Sequence, residues 1–145
     1  MTKEKIKING RFTIIKNGEV VREINNLITN AGFGAMSGLV LNDITETAFD
    51  YIAIGTGTTA AAVTNTTLEA ESMRVAGTGT QTTTTVTNDT AHLESTFNIT
   101  STLAITEAGM LNAATLGTLF NRGIFTAVNV VNGDTLVVKY DVTFG

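Results

Sequence analysis

From Asp134 to Phe144 the chain alternates without a break. Leu136, Val138, Tyr140, Val142 and Phe144 fall on one side, and Thr135, Val137, Lys139, Asp141 and Thr143 on the other. A period of two over that length is the pattern of a strand with one face on a core and one toward water. The same period recurs near the start. Lys5–Ile8 alternates, Asn9-Gly10 follows, Arg11–Ile15 continues, and Asn17-Gly18 separates this run from Glu19–Ile24. Asn-Gly between two alternating runs signals a hairpin, because both central positions of a tight turn need positive φ. The second Asn-Gly is expected as the turn and the first as a bulge within one long strand.

Composition points the same way. Threonine accounts for 28 of the 145 residues, with 13 asparagines and 14 glycines. Threonine is β-branched and fits a pleated, half-wet surface, and asparagine and glycine supply turns. Charged residues are 15% of the chain, against the usual ~25%, while hydrophobic residues at 43% are enough for a core.

One segment breaks the β pattern. Leu27, Ala31, Ala35 and Leu39 recur at four-residue spacing, and Thr29 or Asn30 is placed to cap a first turn. This predicts one short helix over 29–41. Its three glycines weaken it, each by up to about 1 kcal/mol against alanine, so tertiary packing must hold it. Close approach to a sheet is the expected use of those glycines.

Further strands are expected over 49–55, 73–77, 81–87, 91–99, 104–111 and 118–125, with a Gly-Thr-Gly turn at 77–79 joining the second and third. Thr67–Glu71 is expected as one helical turn. On the 91–99 strand Leu93, Phe97 and Ile99 point inward and His92, Glu94, Thr96 and Asn98 outward. Short strands at regular spacing, with no βαβ rhythm, linker or fixed-period repeat, predict a mainly β protein. The expected fold is a single antiparallel β-sandwich spanning 1–145 with one short α-helix.

The same residues bear on chemistry. With no cysteine, disulfides and thiolate metal sites are excluded, and with one histidine, His92, so is any multi-histidine centre. No catalytic residue, cofactor or metal site is expected. A net charge of −4 argues against a nucleic-acid footprint. No segment is apolar enough to span a membrane, and the charged start Met1–Lys7 does not read as a leader. Gly55-Thr56-Gly57-Thr58-Thr59 lacks the lysine and the glycine spacing of a phosphate loop. Glu69, Glu71, Asp89, Glu94 and Glu107 are the only support for a glycosidase pair, and a chain without tryptophan offers little sugar platform.

Acids and arginines set beside apolar strand residues in a chain this poor in charge are expected to pair. The candidates are Glu71, Arg74, Glu107 and Arg122, with Glu107 held by Arg74 or Arg122 through a guanidinium fork in a partly buried cluster that fixes strand order.

A family resemblance rests on four stretches: Tyr51–Gly57, Leu68–Arg74, Ile105–Leu111 and Leu119–Arg122. A strand ending in Gly-x-Gly, a Leu-x-x-Glu-x-x-Arg segment and an Ile-x-Glu-x-Gly strand in this order resemble the N-terminal domain of tailed-bacteriophage tail-collar fibre proteins. Met110-Leu111 stands where Leu-Phe is usual. The opening Asn26–Gly32 and closing Asp134–Phe144 are similar to small phage virion proteins of that kind. The resemblance implies a non-enzymatic virion component assembled in the host cytoplasm. Its expected partners are itself, as a homo-oligomer with a trimer favoured, and other virion proteins. A tail, fibre or baseplate adaptor or decoration subunit is the first reading, a capsid decoration protein the second, and a cell-surface adhesin module a third.

Overall fold

The computed structural model describes residues 3–42 and 45–145. Ten strands and one helix follow in the order β1 (Ile8–Lys16), β2 (Glu19–Asn25), β3 (Leu27–Ile28), α1 (Asn30–Leu41), β4 (Tyr51–Gly55), β5 (Glu71–Ala76), β6 (Thr78–Thr82), β7 (Thr90–Asn98), β8 (Leu103–Leu111), β9 (Leu119–Val130) and β10 (Thr135–Phe144). They form two five-stranded antiparallel sheets, ordered β2-β1-β10-β7-β6 and β3-β9-β8-β4-β5. The mainly β sandwich with one short helix is the fold that the alternation predicts.

β10 lies at the centre of the first sheet, between β1 and β7. Its inward side chains Leu136, Val138, Tyr140 and Val142 are buried, as are Phe12 and Ile14 of β1 and Leu93 and Phe97 of β7. They meet Ile52, Ile54, Ile105, Phe120, Val128 and Val130 of the second sheet in one apolar core. Asn17 and Gly18 both have positive φ, 49° and 84°, and turn β1 into β2 as a two-residue hairpin. Asn9-Gly10 lies inside β1 with its register against β10 unbroken, so no bulge sits there. The irregularity falls instead between Ile14 and Ile15 against β2.

The helix begins after Thr29, whose Oγ1 accepts the Gly32 N–H at 2.9 Å and donates to the Leu119 carbonyl at 2.6 Å. The cap thus binds the helix to β9 as well as to itself. Gly32 permits that approach, since a Cβ there would stand 2.3 Å from the Phe120 carbonyl oxygen.

Three expectations fail between β4 and β7: the helical turn at 67–71, the hairpin turn at 77–79 and the strand over 81–87. Thr67–Glu71 forms no helical turn, because its backbone N–H groups are drawn to a side chain on β8. The Gly-Thr-Gly at 77–79 is not a hairpin turn. β5 and β6 belong to different sheets, and the chain passes between them at Gly77. A Cβ at Gly77 would lie 2.6 Å from Ser95 Oγ and 2.7 Å from the Glu94 carbonyl oxygen, so the crossing needs a residue without one. β6 ends at Thr82. The Thr83–Asn88 stretch is a loop gathered onto the Asp89 carboxylate, which accepts the N–H groups of Thr84, Thr85 and Val86.

Candidate functional site

Glu107 and Arg122 come together, and Arg74 does not join them. Glu107 sits on β8 and Arg122 on the neighbouring β9, both with side chains on the outer face of the second sheet. There the 56–70 segment folds back as a cover, with Leu68 packed among Ala53, Leu111 and Leu119. Glu107 is 0% exposed and Arg122 2%. Arg122 Nε donates to Glu107 Oε2 at 2.8 Å.

The carboxylate has three further donors. Oε2 accepts the Glu69 N–H at 3.0 Å, and Oε1 accepts those of Ala70 at 2.7 Å and Gly57 at 3.0 Å. Burial opposes the charge on Glu107. The N–H of Ala70, the Arg122 guanidinium and the N–H groups of Glu69 and Gly57 outweigh it and hold the carboxyl below the usual range. Gly57 must be a glycine for this geometry, since a Cβ there would meet Glu107 Oε1 at 2.6 Å.

The rest of the guanidinium is also engaged. Arg122 Nη2 donates to Glu69 Oε2 at 3.2 Å and Nη1 to Asn65 Oδ1 at 3.2 Å. Glu69 in turn accepts the Thr59 hydroxyl and N–H, which hold its carboxyl below its ordinary value. The cluster therefore staples two strands and two arms of a loop. Every lone-pair position of Glu107 faces a donor, which favours its charged form.

Arg74 pairs with Glu71 on the same strand, Nε to Oε1 at 2.9 Å and Nη2 to Oε2 at 2.7 Å, in the bidentate form. Its Nη1 donates to the carbonyls of Ala113 and Leu116 and clamps the 112–118 loop. That loop turns at Leu116 and Gly117, both of positive φ.

Polar residues outside the four candidates guard an edge. β9 is partnered on its outer side by the two-residue β3 at Asn121 and Arg122 only. Beyond that, Arg22 of β2 donates to the carbonyls of Thr126 and Ala127 at 3.0 Å each, and Lys16 of β1 to that of Asn129 at 2.9 Å. These groups cover carbonyls that an incoming strand would otherwise use. Neither role carries a local sequence signal, because the partners lie over a hundred residues away.

The other end of the first sheet is bare. Among the described residues β6, Thr78-Gly79-Thr80-Gln81-Thr82, pairs with β7 alone, and all five of its residues are exposed. On its inner side a cleft of about 410 Å³ opens between Gly79, Gln81 and Val142 on one wall and Met36, Leu39 and Phe49 on the other. On its outer side stands His92, whose Nδ1 lies 2.7 Å from Asp141 Oδ1 and whose Nε2 lies 3.8 Å from Glu94 Oε2. The outward placement expected for His92 and Glu94 is the one observed.

A last polar group lies inside the core. Tyr140 is fully buried, and its hydroxyl accepts from Asn26 Nδ2 at 3.1 Å. Burial pushes the phenol up to about 12. Asn121 Oδ1 accepts the Met110 N–H.

Among the described residues no group of three or more His, Cys, Asp or Glu is placed to hold a metal ion, and no helix is long and apolar enough to cross a membrane. Compared with protein-family models, curated proteins and solved structures, the chain matches none.

Proposed function

We propose that this protein is a structural component of a tailed-phage virion, working by assembly against neighbouring proteins as a tail, fibre or baseplate adaptor or decoration subunit. The outer surface of α1 carries the reading. The helix has no charged residue and leaves Phe33, Leu39, Val40 and Leu41 exposed, Val40 at 85%. Apolar helix surface of that kind belongs against another surface.

The charged groups support the same reading from the other side. Glu107, Arg122, Arg74 and Glu71 spend their hydrogen bonds on this chain's own backbone and on one another. These four charged groups are thus occupied within the fold, and the apolar surface of α1 and the exposed threonines of β6 remain for contact with neighbours, which suits binding. The order of motifs around Gly55, Arg74, Glu107 and Arg122 supplies the virion setting. The partners in this reading are further copies of the chain and other virion proteins, with no nucleic acid, membrane or cofactor.

Mass spectrometry of purified particles, with antibody labelling under the electron microscope, tests the proposal. Stoichiometric protein on the tail is the expected result. Label on the head would assign a capsid decoration subunit instead. Absence from the particles would overturn the virion reading.

A further inference from the structure

We infer that β6 is a receiving edge for strand addition by a second copy of this chain, and that the segment added is the neighbour's Lys3–Ile6. The inference rests on the assembly reading above and gives it a surface.

The acceptor is defined by three features that coincide. First, among the described residues β6 is bonded on one side only, so alternate residues turn N–H and C=O groups outward. Second, it lacks the usual protections. It has no charge, no proline and no irregularity in its register with β7. The other edges differ: Arg22 and Lys16 cover carbonyls of β9, β5 carries the Arg74–Glu71 pair and a register shift, and β2 carries Glu19, Arg22, Glu23 and a shift. Third, the apolar cleft lies along the inner side of the bare edge, with Gly79 and Gln81 on its rim. A strand laid beside β6 turns every second side chain into that cleft.

The donor is chosen by pattern and charge. Residues Lys3–Lys7 lie outside any strand and are exposed, Ile6 at 76%. Lys3, Lys5 and Lys7 alternate with Glu4 and Ile6. With Ile6 turned into the cleft beside the space that Gly79 leaves, Glu4 falls on the same face at the rim, and Lys3 and Lys5 fall on the outer face. Glu94 there is register partner to Thr78 and lies 3.4 Å from Lys139 Nζ, and Asp141 holds the His92 next to Thr80. The segment Lys3–Ile6 carries two lysines and one glutamate, and Lys7 follows it, in a chain of net charge −4, so a cationic arm meets an anionic body. β1, which the arm enters, is separated from β6 by β10 and β7, so donor and acceptor are different surfaces. The contact is head-to-tail, and the form inferred is one whose rotation closes it into a ring rather than an open filament.

Two substitutions at exposed positions test this, Ile6→Asp in the arm and Gly79→Glu on the edge. A Cβ at Gly79 meets nothing nearer than 3.8 Å, and its φ is not positive, so the fold accommodates the change. Sedimentation velocity of the full chain over a dilution series is expected to show a closed oligomer. Each variant should weaken it at least about tenfold. Mixed in equal amounts, the variants should form a dimer and no more, because only the Gly79→Glu arm and the Ile6→Asp edge are both intact. Hydrogen exchange gives a second readout: the amides of Thr78–Thr82 should be protected in the wild type and lose protection in Ile6→Asp. A monomeric wild type, an oligomer indifferent to both substitutions, or a mixture that does not pair would each overturn the inference. A monomer that is still found in particles would sink this interface alone and leave the virion reading standing.

Discussion

Two of the sheet edges, along β9 and along β6, are finished in opposite ways. Along β9, Arg22 and Lys16 reach across from the other sheet and occupy the carbonyls of Thr126, Ala127 and Asn129. Along β6, five neutral residues face water beside an apolar cleft. The difference lies in where charge is spent. This chain has few charged groups, and those near the second sheet are turned inward to hold strands and loops. The side that is stapled is a frame, and the side left bare is free to bind.

The largest effect is expected at the frame. Glu107→Ala leaves the buried Arg122 guanidinium and three backbone N–H groups without their acceptor, and should cost about 3–5 kcal/mol in chemical denaturation. A loss below about 0.5 kcal/mol would show that the cluster does not hold the 56–70 cover.

Acid probes the same contrast. The pKa of Glu107 is lower in the folded chain than its ordinary value, so the unfolded chain binds the proton more readily. Its contribution to stability is therefore full above the ordinary glutamate range, about pH 4.5, and is lost as pH falls through the lower folded value. Unfolding midpoints followed downward from neutral pH should fall in the wild type and fall less steeply in Glu107→Gln. Parallel curves would assign the acid sensitivity elsewhere, Asp89 being the next candidate because the N–H groups of Val86, Thr84 and Thr85 hold its carboxyl far below the usual range.

Arg22→Ala converts the guarded edge into a second bare one. We expect a loss of about 1 kcal/mol and the appearance of concentration-dependent association, read by light scattering. Stability unchanged and scattering unchanged would mean that β9 is shielded by its own irregular backbone. At the open edge Gly79→Glu should stay within about 0.5 kcal/mol of the wild type in thermal unfolding, compared at a dilution where both are monomeric. A larger loss would show that β6 already serves the fold rather than a partner.

How far the sequence reached follows the range of each interaction. β10 was legible because its period is carried by ten adjacent residues, and the β1–β2 turn because positive φ at Asn17 and Gly18 is a local demand. The helix was legible from its Thr29 cap, but its buried face is Gly32, Ala35 and Gly38 rather than the stripe of Leu27, Ala31, Ala35 and Leu39, because Gly32 is what lets it approach β9. Glu107 and Arg122 stood out as charges among apolar neighbours, yet nothing nearby told Arg122 from Arg74 as the partner. That choice is made by the pairing of β8 with β9. The 56–70 cover was misread around Thr67–Glu71 because its N–H groups answer to a carboxylate 37 or more positions away. Gly77 was misread because Gly-Thr-Gly serves a hairpin and a change of sheet equally well, and only the crowding by Ser95 and Glu94 decides. The edge guards Arg22 and Lys16 left no mark at all, since the carbonyls they hold belong to a distant part of the chain.

The crossing at Gly77 has a mechanical consequence. β5 and β6 are contiguous in the chain but lie in opposite layers, joined through one pivot. Anything that grips β6 from outside therefore pulls on both layers at once. A tug that would peel an ordinary outermost ribbon must here also drag β5, with its bulge and the clamped 112–118 loop, out of the opposite layer. Such a joint resists tension better than its five neutral residues suggest.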